Sequence, residues 1–323
     1  MSTESKKYRL LTRSDFDGLV CAILLKELGI LGSIEFVHPK DMQDGKIAVT
    51  SDNILTNLPY APGCHLCFDH HPSEKLRTRG VTDPNHILAG GADSAARVLY
   101  DYYGGRNVFP NINERMMAEV DKADSAKFDR DDILNPEGWV LLSFLMDPRT
   151  GLGRFRDFRV SNYQLMMQLI DYCREHSIEE ILNLPDVRER IDLYRQQSEK
   201  FAAQLLRCTK VHGSVAVLDL RGEEVIYAGN RFMIYALFPE CEISIHVLRG
   251  LKQQNTVLAV GKSILNRSSK TKIGDLLLTY GGGGHDAAGT CQIAIESADK
   301  VLKEIVELLS SGTTSSAKEP VLV

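Results

Sequence analysis

The chain has 323 residues, enough for two domains of ordinary size, and its 43% apolar and 25% charged residues suit a soluble globular protein. A formal net charge of −5 excludes a global basic field for nucleic acid, so any polyanion site must be a local patch or a metal. Seven scattered cysteines fit a reducing cytosol better than a disulfide framework, residues 1–9 hold no apolar signal core, and no apolar run approaches the roughly 18 residues that span a bilayer, so the expected location is cytoplasmic with no membrane segment.

Residues 8–12 read as a buried strand and residues 19–31 as an apolar helix with Gly29 and Gly32 near its end. Residues 34–38, 46–50, 53–56 and 65–68 are short strand candidates. Strands separated by helices predict an α/β layer with a mainly parallel sheet, whose ligands bind at the carboxyl ends of strands. Residues 94–207 read as a helical insert, with candidates at 95–103, 113–124, 139–145 and 162–175. The charged stretch 187–206 predicts a connecting helix. Strand patterns return at 215–218, 243–248, 257–260 and 291–295, with helices at 231–238, 272–280 and 298–309. The expected organisation is a first domain over 1–186, a connecting helix and linker over 187–212, a smaller α/β domain over 213–310 and a flexible tail over 311–323, with a cleft between the two domains.

Chemistry-bearing residues cluster at the predicted strand ends. Asp15 and Asp17 flank Phe16 after the first strand, and Gly18 permits a tight turn into the helix. The two carboxylates can share one side of a turned segment and offer hard oxygen ligands. Asp15 can equally cap the helix. Asp69, His70 and His71 follow an apolar strand. Asp121 and Asp124 end the helix beginning near Asn113, one turn apart. Gly281 to Gly284 precede His285, a run that lets backbone amides approach a phosphate or makes a tight structural turn. Arg149 and Arg154 add positive charge near a helix-connecting turn. Cys64, His65 and Cys67 lack the second ligand pair that a structural zinc needs.

The order and spacing of these motifs resemble the DHH phosphoesterase family, in the subfamily with a DHHA1-type second domain and in the branch described as exopolyphosphatase-related. That resemblance covers nearly the whole chain. It implies metal ligands at Asp15, Asp17, His70 and Asp124, with Asp121 in support. It implies catalytic roles for Asp69, for His71 facing the substrate phosphate, and for Arg13. It places substrate binding on Asn266, Arg267 and Ser268 and on the glycine loop, Gly282, Gly283, Gly284 and His285, with a phosphate clamped by Arg267. Mixed oxygen and imidazole donors suit Mn²⁺, or Mg²⁺, as one or two ions.

Two positions depart from the family pattern. Arg13 stands where the family has a histidine, and Asn57 ends the strand that carries its bridging aspartate, with Asp52 the nearest carboxylate. Arginine stays protonated and cannot ligate a metal. The expected activity is metal-dependent hydrolysis of phosphoester bonds in nucleotides or short oligonucleotides. A phosphate- or nucleotide-binding protein with a degenerate metal site is the alternative, and an exopolyphosphatase is a further one. The expected partner is a small phosphorylated substrate or a short nucleic acid, and a homodimer stays open.

Overall fold

The structure, a computed structural model, describes residues 6–71, 74, 77 and 83–310; the expected tail 311–323 lies outside them. The chain divides into two compact units. The first comprises Met1–Lys127 and Pro136–Leu193, the second Phe128–Asn135 and Tyr194–Val323. The fold is two-domain α/β, as the sequence predicts.

The first unit is built on strands β1 (Tyr8–Thr12), β2 (Leu31–Phe36), β3 (Asn53–Thr56), β4 (Leu66–Asp69) and β5 (His86–Leu88). They form one sheet in the order β2-β1-β3-β4-β5, with every pair parallel. Helix α1 (Phe16–Glu27) is apolar on all sides, and each residue from Phe16 to Leu25 is buried. Such a helix must be covered all round. A short helix α2 (Pro39–Gln43) follows, and then α3 (Ala95–Tyr102), α4 (Glu114–Asp124), α5 (Arg130–Leu134), α6 (Gly138–Met146), α7 (Asn162–Glu175), α8 (Ile178–Asn183) and α9 (Pro185–Cys208). Of these, α3, α4 and α7 pack on α1.

The expected strand at 46–50 is not formed. Its alternating Ile47 and Val49 cover the cluster of Leu11, Val37, Leu55 and Cys67 instead, so their apolar pattern serves packing without a strand partner. The helix predicted to reach residue 31 stops at Glu27, because Gly29 turns left-handed (φ 69°) and frees Leu31 to pair with Tyr8.

The second unit carries β6 (Thr209–His212), β7 (Val215–Asp219), α10 (Met233–Leu237), β8 (Ile243–Arg249), β9 (Thr256–Lys262), α11 (Ile273–Leu278), β10 (Gly283–Gly284), β11 (Ala288–Ile293) and α12 (Ala298–Ser310). Its sheet runs β10-β11-β9-β8-β7-β6, and only β7 and β8 pair in parallel. Ile243, Ile245, Val247, Leu258, Val260 and Ile305 form its core. Helix α5 belongs to this unit: Arg130 Nε donates to Ala236 O at 3.1 Å. The division falls inside α9, after Leu193, within the 187–212 stretch that the sequence predicts as a connecting helix and linker. Among the described residues no helix is long and apolar enough to cross a membrane.

The glycine run is the hairpin β10–β11, and close packing requires its glycines. A Cβ on Gly282 would lie 2.3 Å from Thr290 O, and one on Gly284 2.3 Å from Ala288 O. Gly274 of α11 seats the hairpin: a Cβ there would lie 2.6 Å from Gly284 O. Backbone atoms cannot yield cheaply, so Gly274→Ala should lower stability by about 1–3 kcal/mol, the usual scale of overpacking. Thermal unfolding checks this, and an unchanged midpoint would show that α11 does not seat the hairpin.

Candidate metal centre

The site lies at the carboxyl ends of the central strands of the first unit. Thr12 and Thr56 join the ends of β1 and β3 through a 2.7 Å hydroxyl hydrogen bond. After β1 the chain turns sharply into α1. Gly18 makes that turn possible, since a Cβ there would lie 2.0 Å from Arg13 O. Asp15 caps the helix, its Oδ1 accepting from Gly18 N at 3.0 Å. Its Oδ2 lies 3.2 Å from Arg13 Nε. Asp15 is therefore an N-cap and an ion-pair partner at once, and only the capping half of that arrangement is legible in sequence.

Asp17, in the first turn of α1, is 1% exposed. Its Oδ1 and Oδ2 accept from Ala96 N (2.8 Å) and Ala95 N (3.0 Å) at the start of α3. Asp69 ends β4. Its Oδ1 accepts from His70 N (2.8 Å), His71 N (3.2 Å) and His71 Nδ1 (2.7 Å). That last contact makes Nδ1 the donor to Asp69 and fixes the ring's orientation. His70 Nε2 lies 2.7 Å from Asp124 Oδ2, at the end of α4.

Asp17, His70 and Asp124 thus bring two carboxylates and an imidazole to one point, each offering a ligand atom within 4.8 Å of the others. Asp69, His70 and His71 make a second such group. The electrostatics suit a centre that takes a cation. Burial pushes the Asp17 carboxyl well above its usual range, and the charge of Asp124 adds to the effect. Burial also raises Asp15, against the opposing charge of Arg13. For Asp124 the burial effect is outweighed by the hydrogen bond and charge of His70, so its pKa falls. Burial works to lower His70, but its bond to Asp124 and the nearby carboxylates prevail and push it up to about 9. A proton on His70 thus does part of what a divalent ion would do, and hard oxygens with one imidazole fit Mn²⁺ or Mg²⁺.

Asn57 follows β3, in the left-handed region (φ 54°), 1% exposed, with both side-chain polar atoms buried and unpartnered among the described residues. A buried amide without partners is costly. Asp52 stands at the opposite end of β3, exposed and paired with Lys6 at 2.8 Å, so it is no member of the centre. Asp121 does not reach His70 but bonds Ser94 and Arg97. Arg149 sits in a turn capped by Asp147, as the sequence suggests, and its charge also acts on Asp15. Cys64 and Cys67 are buried in the sheet core, and His65 stacks on Tyr8.

A third group, Asp69, Glu74 and His86, is not legible in sequence. Its signal is the pairing of β5 with β4, which a three-residue strand does not announce. Glu74 is already gripped by Arg77 at 2.7 and 2.6 Å.

In the second unit the glycine loop offers fewer amides than expected. Gly281, Gly282 and His285 donate their N–H groups to Leu278 O, Leu277 O and Ala288 O. Asn266 and Ser268 form a local turn, Ser268 Oγ bonding Asn266 Oδ1 at 2.6 Å, and Arg267 Nε donates to Ile264 O at 2.9 Å.

No protein-family model matches the chain, and no curated protein matches it. Among solved structures it is similar to the pGpG-specific phosphodiesterase PggH from Vibrio cholerae, at 57% identity and TM-score 0.84, over 95% of this chain and 100% of that one. The chain belongs to the DHH phosphoesterase family. It is also similar in fold to RecJ from Thermus thermophilus in complex with Mn²⁺, at 14% identity and TM-score 0.50, over 96% of this chain and 53% of RecJ.

In protein freed of divalent metal, His70 should titrate near pH 9 by imidazole NMR, and Asp124→Asn should bring its midpoint toward the ordinary 6.5. Because the folded pKa is raised, the His70–Asp124 contribution to stability is complete below about 6.5 and is lost as pH rises through about 9. A parent midpoint near 6.5 would contradict the ion pair.

Proposed function

We propose that this chain is a metal-dependent phosphodiesterase that hydrolyses short linear nucleotides of the pGpG type. The observation that carries the reading is the 57% identity to a pGpG-specific phosphodiesterase over the full length of that protein. The acidic centre gives it chemistry. Asp15, Asp17, His70 and Asp124 would hold Mn²⁺ or Mg²⁺. A divalent ion in such a centre supplies positive charge against a phosphate and acidifies nearby water. His71, held by Asp69 through Nδ1, faces the phosphoryl group with Nε2. Arg13 neutralises Asp15 and faces the phosphate. In the second unit Asn266, Arg267, Ser268, His285 and the edge of the glycine loop, Gly282, Gly283 and Gly284, bind the rest of the substrate. With three of the loop's amides already bonded internally, the side chains of Arg267 and His285 carry most of that binding on this reading. All seven cysteines are free thiols, which supports a cytoplasmic location.

Purified full-length protein with Mn²⁺ should release GMP from pGpG. Asp17→Asn and His70→Ala should lower kcat/KM by about 100-fold or more, the scale of a lost electrostatic contribution. Unchanged rates in both variants, or equal rates with a chelator present, would reject the reading. Faster phosphate release from polyphosphate than GMP release from pGpG would favour an exopolyphosphatase. Metal binding without hydrolysis of either would favour the binding-protein reading, which Arg13 and Asn57 motivate.

The unpartnered Asn57 amide marks a place where a carboxylate would meet the cluster. Asn57→Asp should raise the affinity or stoichiometry of Mn²⁺ in calorimetric titration, because it adds a charged ligand to a buried centre. Identical titrations of parent and variant would show that residue 57 does not face the metal.

A further inference from the structure

We propose that Ser94, Arg97 and Asp121 form a positioning network that fixes the carboxylate of Asp17 for metal binding; this rests on the assignment of Asp17 as a ligand above. None of the three touches the cluster of Asp17, His70 and Asp124 as a ligand. What they fix is the start of α3. A helix begins with N–H groups that have no partner within the helix. Here Ser94 caps the third, its Oγ accepting from Arg97 N at 3.0 Å. The first and second, Ala95 N and Ala96 N, go to Asp17, one to each carboxylate oxygen, at 3.0 and 2.8 Å.

That two-point grip stops the carboxylate from rotating. Oδ1 also takes the weak thiol donor of Cys21 at 3.9 Å, while Oδ2 keeps a lone pair for a cation, so the ligand is oriented without being consumed. The grip is only as firm as the helix start, and the helix start is locked by Asp121. Ser94 is fully buried, and its Oγ donates to Asp121 Oδ1 at 2.7 Å. Because the hydroxyl hydrogen is committed there, its lone pair faces Arg97 N. Arg97 closes the loop, with Nε and Nη2 donating to Asp121 Oδ2 at 2.9 and 2.7 Å. The guanidinium also neutralises Asp121, so this carboxylate adds little repulsion to a centre already rich in them.

Asp121 and Asp124 sit one turn apart on α4 and divide the work. Asp124 reaches the cluster directly through His70, while Asp121 reaches it through Ser94 and the start of α3. Helix α4 thereby bears on the position of two candidate ligands at once.

The test uses the full-length protein and Mn²⁺ alone in calorimetric titration, with pGpG kinetics alongside. Ser94→Ala and Asp121→Asn should weaken Mn²⁺ binding about 10-fold or more, as loss of a ligand's support does. The Mn²⁺ concentration giving half-maximal rate should rise equally, with KM for pGpG kept. Ser94→Thr, which restores the hydroxyl, should bind Mn²⁺ close to the parent. Ser94→Gly keeps a residue favoured at helix starts while removing the bond to Asp121, so it reports on the network if Ser94→Ala does not fold. Folded Ser94→Gly and Asp121→Asn variants that bind Mn²⁺ as tightly as the parent, while Asp17→Asn does not, would overturn the network and leave the metal reading intact. If Asp17→Asn itself binds Mn²⁺ like the parent, the metal reading fails, and this inference fails with it.

Discussion

Carboxylates buried beside one another cannot all stay ionised unless something positive is buried with them. The first unit is organised around that constraint. Asp15, Asp17 and Asp69 are buried and Asp124 half-buried at the carboxyl ends of β1 and β4 and the end of α4. Each is met by a fixed donor. The Gly18 amide and Arg13 meet Asp15. The start of α3 meets Asp17, the amides of His70 and His71 meet Asp69, and His70 meets Asp124. These donors orient the anions, while burial still raises the pKa of Asp17 and Asp15. Such a site suits a cation.

The fold supplies this geometry at little cost because a parallel sheet gathers strand ends on one side. Strand order β2-β1-β3-β4-β5 puts the end of β3 between those of β1 and β4. Asn57 therefore falls between the Asp15 turn and Asp69, while Asp52, five residues earlier on the same strand path, is carried to the far side of the sheet. The all-round apolar α1 anchors the arrangement. It is wedged by α3, α4 and α7, so the turn that holds Asp15 and Asp17 cannot shift without disturbing the core.

Residues that carry charge at fixed spacing are legible in the sequence; residues that act through partners distant in the chain are not. Asp15, Asp17, Asp69 and His70 stand out because they follow apolar strands, and Asp124 because it ends a helix in the expected order. The role of Asp121 is not legible, because helical spacing puts it one turn from Asp124 but says nothing of Ser94, 27 residues away. Strands β5 and β6 escape a reading by pattern because a three-residue strand and a polar edge strand have no periodicity of their own, and pairing defines them. Ile47 and Val49 mislead in the other direction: an alternating pattern records burial, and burial can be had without a ladder. The glycine run is legible as a special backbone, but its purpose is not. Close approach to Thr290, Ala288 and Gly274 explains those glycines before any ligand is invoked.

The two departures from the family pattern are best understood together, as a change in charge. A neutral histidine replaced by Arg13 adds one positive charge, and an aspartate replaced by Asn57 removes one negative charge. Jointly they shift the centre by the charge of one divalent ion. Arg13 spends that charge on Asp15, whose side chain it meets at 3.2 Å, and Asn57 leaves an uncharged amide where a bridging carboxylate would demand a second cation. Either change alone would leave the buried cluster out of balance: arginine beside a full two-metal set would repel an ion, and asparagine without arginine would leave Asp15 less compensated. A centre that held one ion fewer beside a fixed guanidinium would keep the same total charge facing a phosphate. It differs in what can move, since an arginine cannot dissociate as an ion can.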